Sequence, residues 1–524
     1  MWHSLNEVTQ SRYVSSLNVA PKGNNEPVSS PIYMSSNFHY PKDPSPEDLK
    51  NELSAQQMLQ QIEDTCYYSR HKNPNVLEFE RKLNALHGGS VTYCYPSGMG
   101  AISSVILPLI RPKATIVCSN EVYHDVFGLL QTLEVTSGIE VLLLDICDTQ
   151  KVIEEASKSK TSMLYFESAS NPNSKIPEIE EIVKAVNANN PDCLIIVDNT
   201  LLSPHLFRPF EWGIDIVIES ATKYLSGKGD VLLGAAVFAP HKATWDSYRW
   251  KETKNQVHRW RINSGCCPSP FNCWLAAQGL DTLHLRMEWI SNSTLKLCET
   301  LQSIPCVGRV VYAGLASHPN HALAKKYIPS QRFGGLFRFF IPSVSVSNSI
   351  KAETEKTEIA CAVSFGESHT LMMPGTSGSI CCFKSDQMAS SSGLWFRCSV
   401  GLQNTSELIK TFIKIFANVP ELRCFLGSIK SVEFKKNIHS IKLVSSSKPN
   451  EDISYNFDLK TDVGPPLFTF VDGKIYLFDF DSSSKSALGR KKFILKNPPS
   501  IPIENFAKKP LYCFAPVYFL NMPK

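Results

Sequence analysis

The chain has 524 residues, of which 43% are hydrophobic and 19% charged, and its formal net charge is +4. That length calls for roughly two to four domains with ample core. So small a charge excess excludes a nucleic-acid or anionic-membrane surface as the basis of function, and no run reaches the roughly 18 apolar residues that span a bilayer.

Taken in chain order, the N-terminal MWHSLNEVTQSRYV lacks the apolar core of a secretory signal, so the expectation is a soluble, cytoplasmic protein, with the nucleus left open. From about residue 76 to 240, short apolar runs alternate with longer amphipathic ones. Tyr95-Pro-Ser-Gly-Met-Gly100 leads into the apolar AISSVILPLI, where Ser97 suits a helix N-cap and Gly98 lets backbone N–H groups approach an anion. TIVCS, VLLLD, SMLYFES, LIIVDNT, IDIVIES and LLGAAVFA read as buried strands, and VFGLLQTLEV and PEIEEIVKAVNAN as helices. This order predicts an α/β domain with a mainly parallel sheet covered on both faces.

Ligands of such sheets gather at the carboxyl ends of the strands. Glu167, Asp198 and Lys223 fall at those ends. A lysine carried to the mouth of a sheet is a candidate amine nucleophile. Gly227-Lys228 does not make a nucleotide-binding P-loop, because Thr222 stands where that loop needs a glycine. Farther on, Asp472-Gly473 in FTFVDGKIYLFDF is a hairpin signal between polar, loop-like flanks.

The 16 cysteines are scattered, and the pairs Cys266-Cys267 and Cys381-Cys382 have the spacing of neither a zinc site nor a thioredoxin motif. Free thiols in a reducing compartment account for them. His71, His87 and His124 have no helical ligand spacing, which favours hydrogen-bonding roles over metal binding.

Ten segments together say more than any one motif. PVSSPIY, YYSRHKNPN, YPSGMGAI, the tyrosine of EVYHDVF, ESASNPNS, IIVDNTLLSP, SATKYLSGKGDVLLG, QGLDTLHLRM, SHPNH and RCSVGL occur in this order between about residues 25 and 415. On them the chain resembles the Cys/Met-metabolism family of pyridoxal-phosphate enzymes, which includes cystathionine γ-synthase and the cystathionine lyases. The resemblance implies a fold-type I PLP-dependent α/β transferase with a mainly parallel seven-stranded sheet and a smaller C-terminal α/β domain. It divides the chain into an N-terminal arm (1–62), a large cofactor domain (63–290), a small domain (291–430) and an unassigned extension with a β-hairpin (431–524).

The cofactor implied is pyridoxal 5′-phosphate, which needs an amine for its aldehyde, a carboxylate for its ring nitrogen, an aromatic face and an anion cradle. By resemblance these are Lys223, Asp198, Tyr123, and Gly98 and Met99 with Ser220 and Thr222. Asn171 matches a cofactor contact. Tyr68 and Arg70 match the segment that reaches the phosphate of a neighbouring subunit, which implies a homo-oligomer built as a dimer of dimers. Arg397 matches the arginine for the substrate carboxylate, and Ser364 lies in the corresponding loop.

The substrates implied are small amino acids: an O-acylhomoserine and cysteine for γ-replacement, or cystathionine for cleavage. Gln278 replaces an expected arginine, SFGES is a shortened substrate loop, PGTSGS lacks the usual Thr-His, and Ala169 replaces a proline. SHPNH and GGLFRF resemble fungal cystathionine γ-synthase-like proteins more than lyases. The expectation is therefore a cystathionine γ-synthase, with a cystathionine lyase or O-acylhomoserine sulfhydrylase as alternatives. A non-catalytic PLP-binding regulatory protein, or an unrelated nucleotide-binding α/β protein, are the readings of another class.

Overall fold

A computed structural model describes residues 29–39, 66–304, 306–341, 343–375 and 394–419, together with five backbone strands between 423 and 479. They form two units: one holds the described residues up to Asn171, Lys175–Glu288 and Ala322–Gly334, and the other Pro172–Ser174, Trp289–His321 and the described residues from Gly335 onward.

In the first unit, helix α1 (Pro74–His87) starts where the Asn73 side chain accepts from the Asn75 N–H, and it stops at Gly88, whose φ of 69° an L side chain disfavours. Then follow β1 (Val91–Tyr95), α2 (Gly98–Leu109), β2 (Thr115–Ser119), α3 (His124–Ser137), β3 (Glu140–Leu144), α4 (Thr149–Ala156), β4 (Thr161–Glu167), α5 (Ile179–Asn189), β5 (Leu194–Asp198), β6 (Ile216–Glu219) and β7 (Gly234–Phe238). The helices α6 (Ser247–Ser264), α7 (Pro270–Asp281) and α8 (Leu283–Ser303) come next, α8 continuing into the second unit.

The seven strands form one sheet in the order β1-β7-β6-β5-β4-β2-β3. β2 to β6 pair in parallel, and β7 runs antiparallel to both its neighbours. Ile116, Met163, Tyr165, Ile196 and Ile218 share one face, where they join Ile102 and Val105 of α2 and Val126 and Leu130 of α3 in a single core cluster. The alternate residues Val117, Leu164, Phe166, Val197 and Val217 are just as buried. Both faces are therefore covered, as the continuous apolar runs require. Each such side chain stabilises the fold by at most about 1.5–3 kcal/mol.

One expectation needs correcting. VLLLD was expected to be a buried strand, but β3 lies at the sheet edge and Leu143 is 49% exposed. An apolar run does not reveal whether a second neighbour covers it. β1 and the antiparallel direction of β7 also went unforeseen.

In the second unit, β8 (Arg309–Val311), β9 (Leu336–Ile341), β10 (Leu371–Gly375) and β11 (Leu394–Ser399) form an antiparallel sheet in the order β10-β11-β9-β8. Two helices belong with it, α9 (Val344–Thr354) and α10 (Thr405–Ala417). Phe339 stacks on Phe396 at 5.1 Å and meets Phe416 of α10 at 6.3 Å. A second antiparallel sheet contains β12 (Arg423–Lys435), β13 (Ile438–Ser445), β14 (Asp452–Asp458), β15 (Leu467–Val471) and β16 (Lys474–Asp479). β15 and β16 pair with Val471 opposite Lys474. The turn residues Asp472 and Gly473 lie outside the described residues. Among the described residues no helix is long and apolar enough to cross a membrane.

Candidate active site

Parallel pairing brings the carboxyl ends of β4, β5 and β6 to one edge, and with them Glu167, Asp198 and Glu219. Just beyond β6, Ser220 to Gly227 form a turn. The Lys223 N–H donates to the Ser220 carbonyl at 3.0 Å, and the Gly227 N–H to the Lys223 carbonyl at 2.9 Å. The side chain of Lys223 is half-buried.

The N-terminus of α2 lies against this turn. Ser97 is in extended backbone and its hydroxyl accepts from the Gly100 N–H at 3.0 Å, so the expected N-cap is present. A Cβ built on Gly98 would stand 2.9 Å from Ser220 Cβ, so only a glycine lets the two segments approach this closely. Thr222 is fixed from the other side, because its hydroxyl accepts from the Leu233 N–H at 3.0 Å. Gly98, Met99, Ser220 and Thr222 are thus gathered at a helix N-terminus, where backbone N–H groups and the helix dipole favour an anion.

Asp198 is 8% exposed. Its Oδ1 accepts from the Thr200 N–H at 3.0 Å and its Oδ2 from the Tyr165 hydroxyl at 3.4 Å. Burial pushes the carboxyl up to about 6, against the hydrogen bonds from Thr200. Glu167 stands beside it in register and accepts from the N–H groups of Tyr123 at 2.7 Å and Asn171 at 3.2 Å. Desolvation and then the Asp198 charge hold Glu167 well above the ordinary carboxylate range. Glu167 thereby sets the position of both Tyr123, whose ring is half exposed, and Asn171, whose buried Oδ1 has no partner.

Two buried arrangements lie directly behind the lysine turn, and motif reading did not single them out. Arg286 donates to the carbonyls of Tyr224 at 2.6 Å, Leu225 at 3.3 Å and Gly279 at 2.6 Å, and to the Thr282 hydroxyl at 3.1 Å. Desolvation lowers it to about 10. A Cβ on Gly227 would stand 2.0 Å from its Nη1, and the φ of Gly227 is 73°. Close packing and backbone shape both explain the first glycine of SGKG. On the other side, His87 Nε2 meets Glu219 Oε1 at 3.0 Å, and Asn199 Nδ2 donates to the same oxygen at 3.2 Å. Burial drives Glu219 up to about 8 and His87 down to about 3. Burial thus favours the uncharged form of both groups.

The remaining predicted residues are placed elsewhere. Tyr68 and Arg70 lie on a turn, with Tyr68 42% exposed, the Arg70 guanidinium 5.4 Å from its ring, and Arg70 Nη1 donating to the Ile262 carbonyl at 3.0 Å. Tyr68 forms an isolated β-bridge with Asn37 and Arg70 reaches α6. The turn is anchored by Arg261, which donates to the His71 carbonyl at 3.0 Å and pairs with buried Glu80 at 2.7 Å. In the second unit, Arg397 on β11 donates to the carbonyls of Val363 at 2.5 Å and Ser364 at 3.1 Å. Gln278 is exposed. Among the described residues no cluster of three or more His, Cys, Asp or Glu side chains is arranged to hold a metal ion.

Residues 14–417 match the family of Cys/Met metabolism PLP-dependent enzymes. The chain is 31% identical over 390 residues to an L-methionine gamma-lyase of Treponema denticola, covering 73% of this chain and 90% of that protein. It is 32% identical over 349 residues to the cystathionine beta-lyase MetC of Bacillus subtilis, covering 66% and 84%. Among solved structures, a cystathionine gamma synthase of Xanthomonas oryzae in complex with cystathionine superposes with a TM-score of 0.67 at 25% identity, over 78% of this chain and 98% of that one. A putative O-acetylhomoserine (thiol)-lyase of Campylobacter jejuni, carrying a pyridoxyl-lysine, gives 0.66 at 25%, over 77% and 99%. The chain therefore belongs to the Cys/Met metabolism family of enzymes, has their fold-type I α/β architecture, and takes pyridoxal 5′-phosphate as its cofactor.

Proposed function

We propose that this enzyme is a cystathionine γ-synthase, which replaces the acyloxy group of an O-acylhomoserine with the thiol of cysteine to give cystathionine. The observation that carries the assignment of its site is the meeting of Lys223, Asp198 and the Gly98–Ser220 contact at one edge of the sheet. The helix N-terminus that starts at Gly98 and the unpartnered buried oxygen of Asn171 fit a polar, phosphate-bearing group there.

When bound, pyridoxal phosphate supplies an electron sink for negative charge developing at the substrate α-carbon. The Lys223 amine would hold the cofactor's aldehyde carbon and would serve as the base for the proton on the substrate Cα. Asp198 would keep a proton on the ring nitrogen by pairing its carboxylate with it. Tyr123 covers the ring face. Ser220, Thr222 and the N–H groups at Gly98 and Met99 hold the phosphate. Arg397, with the Ser364 loop beside it, takes the substrate carboxylate through its planar fork. Tyr68 and Arg70, on a half-exposed turn fixed by Arg261, complete the phosphate site of a neighbouring subunit in a dimer of dimers.

SHPNH, GGLFRF and the likeness to the Xanthomonas synthase support γ-replacement. The lyase names of the two sequence relatives favour a second reading, cleavage of cystathionine. The deciding assay incubates cofactor-loaded protein with O-succinylhomoserine or O-acetylhomoserine, with and without cysteine, and quantifies cystathionine and 2-oxobutanoate. Cysteine-dependent cystathionine upholds the synthase. Cleavage of added cystathionine with no synthesis replaces it with the lyase. Failure of borohydride to fix the cofactor on Lys223 removes both.

A further inference from the structure

A side chain that no motif singles out reaches Asp198 from the neighbouring strand. Tyr165 of β4 stands in register with Ile196 of β5, two residues before Asp198. Residues two apart on a strand share a face, and a diagonal neighbour lies within reach of an aromatic side chain. The Tyr165 hydroxyl accordingly donates to Asp198 Oδ2 at 3.4 Å. The residue is 1% exposed and belongs to the core cluster of Ile116, Met163, Ile196 and Ile218. Such surroundings hold a phenyl ring as well as a phenol, so packing alone does not call for the hydroxyl. Tyr95, at the end of β1, offers a comparison within the same cluster: it is fully buried, and its hydroxyl has no hydrogen-bond partner among the described residues.

The charged groups nearest Asp198 in the sheet are carboxyls. Glu167 of β4 lies beside it, and Glu219 of β6 adds repulsion. Cys118 of β2 is in register with Tyr165, α2 contributes no titratable side chain, and α3 carries His124 and Asp125 in its exposed first turn and Glu134 at its far end. Lys223 follows β6 at the same edge. Against burial and these carboxyls, Asp198 has hydrogen bonds from Thr200 and Tyr165. Thr200 is placed by the chain itself, two residues on, whereas Tyr165 comes from another strand. Desolvation and then the Asp198 charge hold the phenol well above its ordinary value, so it stays a protonated donor across the neutral range. A hydrogen bond to a carboxylate favours its charged form.

We propose that Tyr165 is a positioning residue whose hydroxyl orients the Asp198 carboxylate through Oδ2 and stabilises its negative charge for the ring nitrogen of the cofactor. The inference rests on the reading of Asp198 given above. Tyr165 acts on the cofactor only through Asp198, which separates it from the residues that hold pyridoxal phosphate directly.

The test compares cofactor-loaded wild type, Tyr165→Phe, Tyr95→Phe and Asp198→Asn. Retention of pyridoxal phosphate is measured by equilibrium dialysis between about pH 5 and 9, independently of turnover. Retention by wild type is expected to fall as acid neutralises Asp198. Loss of the Tyr165 donor raises the pH at which that carboxyl takes up its proton, so in Tyr165→Phe the falling limb moves to higher pH. The expected displacement is about half to one pH unit, with retention on the limb roughly 3- to 10-fold weaker, the worth of one hydrogen bond. Tyr95→Phe makes the same chemical change in the same cluster and is expected to keep the wild-type limb. Both changes preserve the ring, so the fold is kept, and protonation of the cofactor itself is common to all four proteins. A limb unmoved in Tyr165→Phe, or moved equally in Tyr95→Phe, overturns the proposal and leaves Asp198 in place. Asp198→Asn is expected to lose the limb or to lose retention throughout. An Asp198→Asn profile that coincides with wild type removes Asp198 as the partner of the ring nitrogen, and this proposal with it.

Discussion

Glu167 and Asp198 end neighbouring parallel strands in register, so two carboxylates stand side by side at the mouth of the sheet. They do different work. Asp198 has Tyr165 and Thr200 as partners, whereas Glu167 spends both oxygens on backbone N–H groups of the segments that carry Tyr123 and Asn171. Glu167→Gln keeps the shape but turns an amide N–H toward one of those donors. The expected result is about 1–3 kcal/mol lower stability and weaker retention of pyridoxal phosphate. Thermal unfolding and equilibrium dialysis of the cofactor check the two. A variant with unchanged cofactor affinity would show that Glu167 does not position the ring contacts.

Arg286 satisfies three backbone carbonyls around the lysine turn from a position only 9% exposed. Arg286→Met removes the guanidinium donors of the Tyr224 and Leu225 carbonyls and leaves the Gly279 carbonyl only Thr282, and is expected to cost about 2–4 kcal/mol, with cofactor lost before global unfolding. Arg286→Lys should recover less than half, because an ammonium cannot span the same fork of acceptors. Urea titrations followed by circular dichroism and by cofactor absorbance would separate the two events.

The buried pair His87–Glu219 makes stability depend on pH with a defined sign. The folded-state value of Glu219, about 8, lies above its ordinary one, so its contribution is full in acid and is lost as pH rises toward and through 8. His87, depressed to about 3, acts oppositely: its contribution is present above its ordinary value of 6.5 and is lost as pH falls toward 3. Glu219→Gln should flatten the alkaline side, where each group alters stability by at most about 1.4 kcal/mol per pH unit. Melting temperatures between pH 5 and 9 for both proteins, on an approximate grid of one unit, check this. A mutant as steep as wild type would assign the slope to another group.

Gly98→Ala places a methyl group against Ser220 without demanding unusual backbone. The fold should survive, with about 1–3 kcal/mol lost, while affinity for pyridoxal phosphate drops at least about tenfold for the loss of one good anion contact. Retained affinity would place the phosphate away from the α2 N-terminus.

How much of this was legible in the sequence depended on range. β2, β5 and β6 follow from local apolar runs, and Asp198 and Lys223 from their places just after two of them. Ser97 could be read as a cap because capping is settled within three residues. Arg286 could not, because its partners lie some sixty residues earlier in the chain as well as seven residues away, and an arginine on a helix ordinarily reads as exposed. Glu219 was similarly hidden: its partner His87 is 132 residues distant, and each looks unremarkable alone. The edge position of β3 depends on sheet order, which no single strand encodes.

Leu233 and Gly234, at the start of the reversed strand β7, touch both halves of the phosphate cradle. Leu233 exchanges hydrogen bonds with Thr222, and Gly234 packs so close to the Ser97 carbonyl that an added Cβ would lie 2.0 Å from its oxygen. The cradle is assembled from segments more than a hundred residues apart, and its last part to be synthesised is the strand that joins them. A chain still emerging from the ribosome can pair β2 to β6 without acquiring the cradle, whereas β1 has β7 as its neighbour in the sheet. Closing so distant a contact is slow compared with forming local structure. Capture of the cofactor thus belongs to the end of folding of this unit, and the appearance of bound pyridoxal phosphate in a refolding experiment would time the insertion of β7.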